Sequence, residues 1–127
     1  FLQKIRELSL QKKIILIFDE CSSGFRQSYG GLHKFYGVEP DIAIFGKALG
    51  NGYAIAAIVG KESVMNYAQQ SFISSTFWTE RVGPTAALKT IEIMKNEKTW
   101  LKVKKIGGKR KELSKHCYKS LQEIDNK

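Results

Sequence analysis

Apolar positions change their spacing along the chain in a way that marks out elements. Phe1, Leu2, Ile5 and Leu8 recur at helical intervals with polar residues between them, so residues 1–12 read as a helix. Residues 13–18, Lys-Ile-Ile-Leu-Ile-Phe, follow as a branched and aromatic run. Such a run fits a parallel strand buried on both faces. Asp19–Arg26 and Tyr29–Gly31 have loop composition, and His33–Tyr36 reads as a short helix closed by Gly37. After Pro40, Asp41–Phe45 is a second short strand, Gly46–Gly52 a turn-rich loop and Ala54–Val59 a third strand. Glu62–Gln69 reads as a short helix, and Ser74–Thr79 as a polar and aromatic loop. Pro84 suits the first turn of a helix, to which Ala86, Ala87, Ile91 and Met94 give an apolar stripe. Gly107-Gly108 is expected to break the helical pattern that follows, which resumes to about Leu121. Strand–helix–strand alternation argues an α/β fold.

Composition adds limits to this picture. The 127 residues are 43% apolar and 26% charged, which suits one globular domain or a piece of a larger one. No apolar run approaches the roughly 18 residues of a membrane span, and no signal-peptide pattern is visible. Cys21 and Cys117 make no disulfide framework, so a reducing, cytoplasmic compartment is the simpler expectation. A helix tail that opens at Phe1 and feeds directly into a strand reads as an interior piece of a longer protein.

The net charge is +9, and residues 95–127 alone hold eleven Lys and Arg against four Asp and Glu. That segment reads as a solvated helical face whose acidic complement lies elsewhere in the parent protein. Phosphate neutralisation on nucleic acid is the alternative, but no RNP-like motif, zinc-ligand spacing or Gly-rich basic tail supports it. His33 and His116 lack the spacing of metal ligands and read as structural or surface histidines. No G-x-S-x-G elbow is present to support a serine hydrolase.

Two strand ends carry chemistry. Asp19 closes the first apolar run, and Lys47 follows the second strand one glycine later. Ligands of open α/β sheets bind at the carboxyl ends of strands, so adjacent tips would aim an acid and an amine into one crevice. Singly, Asp19 reads as a loop carboxylate and Lys47 as a surface lysine in a glycine turn. Together they fit a pyridoxal phosphate site. A lysine amine bonds the cofactor aldehyde, and a carboxylate beside the pyridine nitrogen favours the protonated ring. That ring is the electron sink for a substrate carbanion, and the released lysine shuttles the proton. Gly46, Gly50 and Gly52 would let the backbone turn tightly beside the cofactor.

The words around these residues carry a resemblance. Asp19-Glu20-Cys21-Ser22-Ser23-Gly24-Phe25-Arg26, Tyr36–Ile42, Phe45–Tyr53 and Ser74-Ser75-Thr76-Phe77 stand in the order and separations found in class III pyridoxal-phosphate aminotransferases. The sequence resembles that family over about residues 13–95, and its nearest branch resembles glutamate-1-semialdehyde aminomutase. The resemblance implies that residues 1–96 are part of the large domain of a fold-type-I pyridoxal-5'-phosphate enzyme. Residues 97–127 would be a helical segment leading toward a small domain. It implies Lys47 as the cofactor-bonding lysine and Asp19 as the partner of the pyridine nitrogen. Cys21 would take the place of the usual valine or isoleucine on the ring face. Ser22 falls where some relatives place a longer side chain near the cofactor's phenolic oxygen. Thr76 would donate to the cofactor phosphate of a neighbouring subunit, which implies a homodimer.

The implied activity is transfer of an amino group from a small amino compound to a carbonyl acceptor, with an intramolecular amino shift of the aminomutase type as the alternative. The family's main phosphate loop, a ring-stacking aromatic and a substrate arginine fall outside these 127 residues, so little turnover is expected from them alone. Glu20 and Arg26 read as a structural pair. Two rivals stand beside this reading. Ile15–Glu20 also looks like a Walker B strand, although Gly46-Lys47 lacks the Ser/Thr and first glycine of a phosphate loop. The other rival is a non-catalytic basic module or a remnant that no longer binds cofactor.

Overall fold

The computed structural model describes residues 1–125, with side chains to residue 115. The side chains of His116 and Cys117 lie outside the described residues. Helix α1 (Leu2–Gln11) forms where the helical spacing predicts it. It closes on Lys13, whose φ of 54° is left-handed, and the N–H of Ile14 returns to the Ser9 carbonyl at 2.8 Å.

That closure shortens the first strand. Strand β1 covers only Ile17–Asp19, not the whole run from Lys13. Leu16 is held outside the ladder: its N–H donates to the Asp41 carboxylate at 2.9 Å, and its carbonyl accepts from Asp41 and Ile42. The expected burial on both faces is also not found. Ile14, Ile15 and Ile17 are each more than half exposed. Strand β1 is an edge of its sheet, and no second layer covers it among the described residues.

Strands β2 (Ile42–Phe45) and β3 (Ala57–Gly60) complete a sheet of order β1-β2-β3. Strands β1 and β2 run parallel, with Ile17 opposite Ile42 and Asp19 opposite Ile44. Strand β3 is antiparallel, with Phe45 opposite Ala57. The β1–β2 crossover is a loop and a 3₁₀ turn at Leu32–Tyr36, closed by Gly37 at φ 63°. Strand β3 starts three residues later than the apolar run suggests, because Ala54 and Ile55 lie against the start of the next long helix. A Cβ on Gly83 would come within 2.8 Å of the Ala54 carbonyl and 3.2 Å of Ile55 Cβ. Only glycine permits that approach.

Helix α2 (Glu62–Met65) continues as a 3₁₀ turn at Asn66–Gln70, and α3 (Val82–Glu97) contributes Ala87 to the core. The core is Ala43, Phe45, Leu49 and Ala87, with Phe25, Ile55, Ala57 and Ile91 packed around it. The stripe read from α3 thus faces the core, with Ala87 and Met94 buried and Ala86 and Ile91 partly so. Burying an aromatic side chain such as Phe45 contributes roughly 1.5–3 kcal/mol.

Helix α4 (Thr99–Asp125) follows after Lys98, which turns the chain at φ 49°. It runs unbroken through Gly107-Gly108, contrary to the expected break. Each glycine costs about 1 kcal/mol in a helix, which is small beside the lysines, leucines and glutamates flanking them. Residues 101–115 are exposed, the apolar Leu101, Val103, Ile106 and Leu113 included, so no separate polar face is distinguished. Near its start Trp100 packs on Tyr29 at 5.6 Å between ring centroids, and Lys104 Nζ sits 4.9 Å from the centre of the Phe35 ring. Among the described residues no helix is long and apolar enough to cross a membrane. The whole is an α/β unit, as the alternation of elements predicts.

Candidate active site

The register of β1 on β2 is set at the opposite end from the site. Arg6 grips Asp41 through two hydrogen bonds, 2.7 and 3.0 Å, and Lys61 adds a third at 2.8 Å. With the Leu16 N–H, four donors meet one carboxylate just before β2. The Arg6 hydrogen bonds, foremost, hold the Asp41 carboxyl far below the usual range against the opposing effect of burial. This clamp fixes Ile17 opposite Ile42, so Asp19 must end β1 beside Ile44. The sequence reading missed it, because Arg6 and Asp41 are 35 residues apart.

At the carboxyl end the ladder continues one step, from the Glu20 N–H to the Ile44 carbonyl at 2.8 Å. Asp19 and Glu20 then diverge: Asp19 is exposed and Glu20 is buried. Asp19 Oδ1 accepts the Cys21 N–H at 3.0 Å. That bond lowers the Asp19 pKa, the Cys21 thiol adds to it, and the positive charge of Lys47 acts in the same direction. Asp19 is therefore ionised at neutral pH.

Lys47 leaves β2 through Gly46 and begins a 3₁₀ turn, Lys47–Leu49. Its φ is 43°, in the left-handed region that a side chain rarely adopts. Strained non-glycine residues of this kind concentrate at functional sites. Lys47 Nζ donates to Ser22 Oγ at 2.5 Å. Cys21 is half-buried and packs over Gly46, where an added Cβ would stand 3.3 Å from its Sγ. Burial first, then Asp19, pushes the Cys21 thiol pKa up, so the thiol stays protonated.

Four of the five residues singled out in the sequence thus gather at two neighbouring strand tips: Asp19, Cys21, Ser22 and Lys47. Lys47 opens onto a cleft of about 730 Å³ that Phe25, Arg26, Asn51 and Tyr53 also line. Thr76 stands apart. It lies in an exposed turn and makes no hydrogen bond to the other four among the described residues. The expected Glu20–Arg26 pair does not form. Glu20 instead takes His33, whose Nδ1 lies 2.7 Å from Oε1. The reason is reach: the Glu20 side chain turns inward to the buried His33, while Arg26 is exposed at the cleft. His33 is accordingly a structural histidine.

The profile of the family described as aminotransferase class-III matches residues 1–126. The chain is 52% identical over 99 residues to 3-aminobutyryl-CoA aminotransferase of Cloacimonas acidaminovorans, covering 77% of the chain and 24% of that protein. It is 40% identical over 99 residues to glutamate-1-semialdehyde 2,1-aminomutase of Methanococcus vannielii, covering 76% of the chain and 23% of that protein. Among solved structures it resembles the PLP internal aldimine form of the FumI protein of Sphingopyxis sp. MTA144. There the TM-score is 0.71 and the identity 29%, over 75% of the chain and 23% of the other. The chain therefore spans about a quarter of the length of these relatives. The match leaves the ATPase reading without support.

Proposed function

The chain belongs to the class-III aminotransferase family, and from that premise we propose that the protein carrying it is a pyridoxal-5'-phosphate-dependent aminotransferase. One observation carries the reading: an ionised carboxylate, Asp19, and a backbone-strained amine, Lys47, end two hydrogen-bonded parallel strands. These residues fit the cofactor. Asp19 suits a cationic ring nitrogen, and Lys47 suits an aldehyde. When bound, the cofactor supplies an aldehyde carbon for the amine and a ring that takes up the electrons of the substrate's α-carbon.

The chain's own residues have distinct tasks in this proposal. Asp19 keeps a proton on the ring nitrogen by its charge. Lys47 Nζ holds the cofactor at rest, then accepts and returns the α-proton when substrate displaces it. Ser22 Oγ accepts a hydrogen bond from Nζ and holds it at the strand tips. Cys21 gives the ring face an apolar, protonated thiol. Thr76 donates to the cofactor phosphate of the other subunit in a homodimer, which accounts for its exposed position away from Lys47.

Residues 1–96 are assigned to the large domain, and residues 97–127 to the helical lead toward a small domain. The substrates are a small amino compound and a carbonyl acceptor, and the setting is cytoplasmic. The similarity to glutamate-1-semialdehyde aminomutases supports a second reading, an intramolecular amino shift. It uses the same residues and differs in whether the intermediate aldehyde leaves the site. The test is to reduce the full-length protein with borohydride and locate the pyridoxyl group: a label on Lys47 supports the proposal, and its absence there removes it.

A further inference from the structure

Glu20 follows Asp19 directly, yet its side chain is only 5% exposed. Four donors converge on its two oxygens. Oε1 accepts the His33 N–H at 2.8 Å and lies 2.7 Å from His33 Nδ1. Oε2 accepts the Leu32 N–H at 2.7 Å and the Ser23 hydroxyl at 2.8 Å. The donors come from two places. Ser23 belongs to the turn that carries Cys21 and Ser22, while Leu32 and His33 lie 12 and 13 residues beyond Glu20.

One carboxylate therefore ties both ends of the loop that leaves β1. Burial acts to raise its pKa, but the two backbone N–H groups, Ser23 and the His33 ring outweigh that and leave it ionised. The His33 ring is buried, tilted against Phe18 at 6.1 Å, with Nε2 3.9 Å from Glu39. The Glu20 carbonyl also accepts the Gly24 N–H at 2.8 Å, closing the turn from its backbone side. Glu20 makes no hydrogen bond to Asp19, Ser22 or Lys47, so the chemistry proposed above leaves it without a task.

We propose that Glu20 is a positioning residue: by clamping Ser23 to Leu32 and His33, it fixes the Asp19 carboxylate and the Ser22 hydroxyl relative to Lys47. The proposal rests on the pyridoxal phosphate reading. Asp19 takes its orientation from the Cys21 N–H, and Ser22 stands between Cys21 and the clamped Ser23. Each Glu20 oxygen faces a backbone N–H. An amide has only one carbonyl oxygen, so Glu20→Gln must set its NH₂ against one of those donors. The turn then shifts while side-chain volume is kept.

The experiment compares full-length wild type, Glu20→Gln and Met94→Ala, each titrated with pyridoxal phosphate. Met94 is a buried residue of α3, an element that carries none of Asp19, Glu20, Ser22 and Lys47, and its truncation lowers stability through a cavity. Three quantities are read: the melting temperature, the cofactor Kd, and the pH midpoint of the cofactor's absorbance change. Glu20→Gln is expected to weaken cofactor binding roughly tenfold and to move the midpoint. Met94→Ala is expected to lower the melting temperature alone. A Glu20→Gln protein that melts earlier but keeps wild-type Kd and midpoint overturns the proposal. Should that variant fail to accumulate, Ser23→Ala removes one of the four donors and is expected to move Kd and midpoint less, in the same directions. Unmoved values there overturn the proposal too. A wild type that takes up no cofactor overturns it together with the reading beneath it, whereas normal uptake with unmoved variants overturns the clamp alone.

Discussion

The amine of Lys47 and the hydroxyl of Ser22 meet at 2.5 Å across the tips of two parallel strands. They are 25 residues apart, and the contact exists because β1 and β2 end side by side. The same adjacency puts Lys47 close enough to Asp19 for its charge to help hold that carboxylate ionised. The placing of these three groups therefore depends on sheet register, and register depends on Asp41 at the other end.

Asp19→Asn keeps shape but removes the charge that would hold a proton on the cofactor ring. The full-length variant is expected to fold and bind cofactor while losing turnover by on the order of 10²-fold. Steady-state kcat with an amino donor and a keto acceptor checks this, and an unchanged kcat would end the role given to Asp19.

Thr76→Ala tests the intersubunit phosphate contact. A hydrogen bond to a charged group is worth enough that its loss should weaken cofactor affinity roughly tenfold. Titration of the full-length protein gives the answer. Unchanged affinity would remove Thr76 from the site.

Gly24 lies beneath the Phe45 ring, and an added Cβ would stand 2.9 Å from the Glu20 carbonyl. Both neighbours are fixed, one in the core and one in the backbone. Gly24→Ala should therefore destabilise the fold by about 1–3 kcal/mol, seen as a lower urea midpoint. A midpoint equal to wild type would mean the turn relaxes freely.

Asp41 gives a prediction for acid. Its pKa in the folded chain lies below the unfolded value of about 3.9, chiefly through Arg6. The stability it contributes is thus fully present above that value and is lost as pH falls toward the folded pKa. Denaturant melts between about pH 5 and pH 2 should show a steeper loss for wild type than for Asp41→Asn. Parallel curves would count against the clamp.

Local signals in the sequence were enough for α1, the Gly37 closure, the α3 stripe and the two strand ends that carry Asp19 and Lys47. Each is set within a few residues by spacing or by one special backbone position. What escaped reading depends on distant partners. The short β1 follows from Lys13 turning left-handed and from Asp41 capturing Leu16, neither visible in an apolar run. The continuity of α4 through Gly107-Gly108 is a contest of propensities that the flanking residues win. The exposure of Ile14, Ile15 and Ile17 reflects how little of the sheet is covered, which a strand's own sequence does not record. Glu20 was singled out only as half of a pair, and its true partners stand across a 13-residue loop.

The most direct test of the account is reductive trapping on the full-length protein, with Lys47→Ala beside it and peptide mass mapping of both. The account predicts a pyridoxyl group on Lys47 in wild type and no label at the strand tips in the variant. A wild type that binds pyridoxal phosphate but carries the label on another lysine, or carries none, would contradict it.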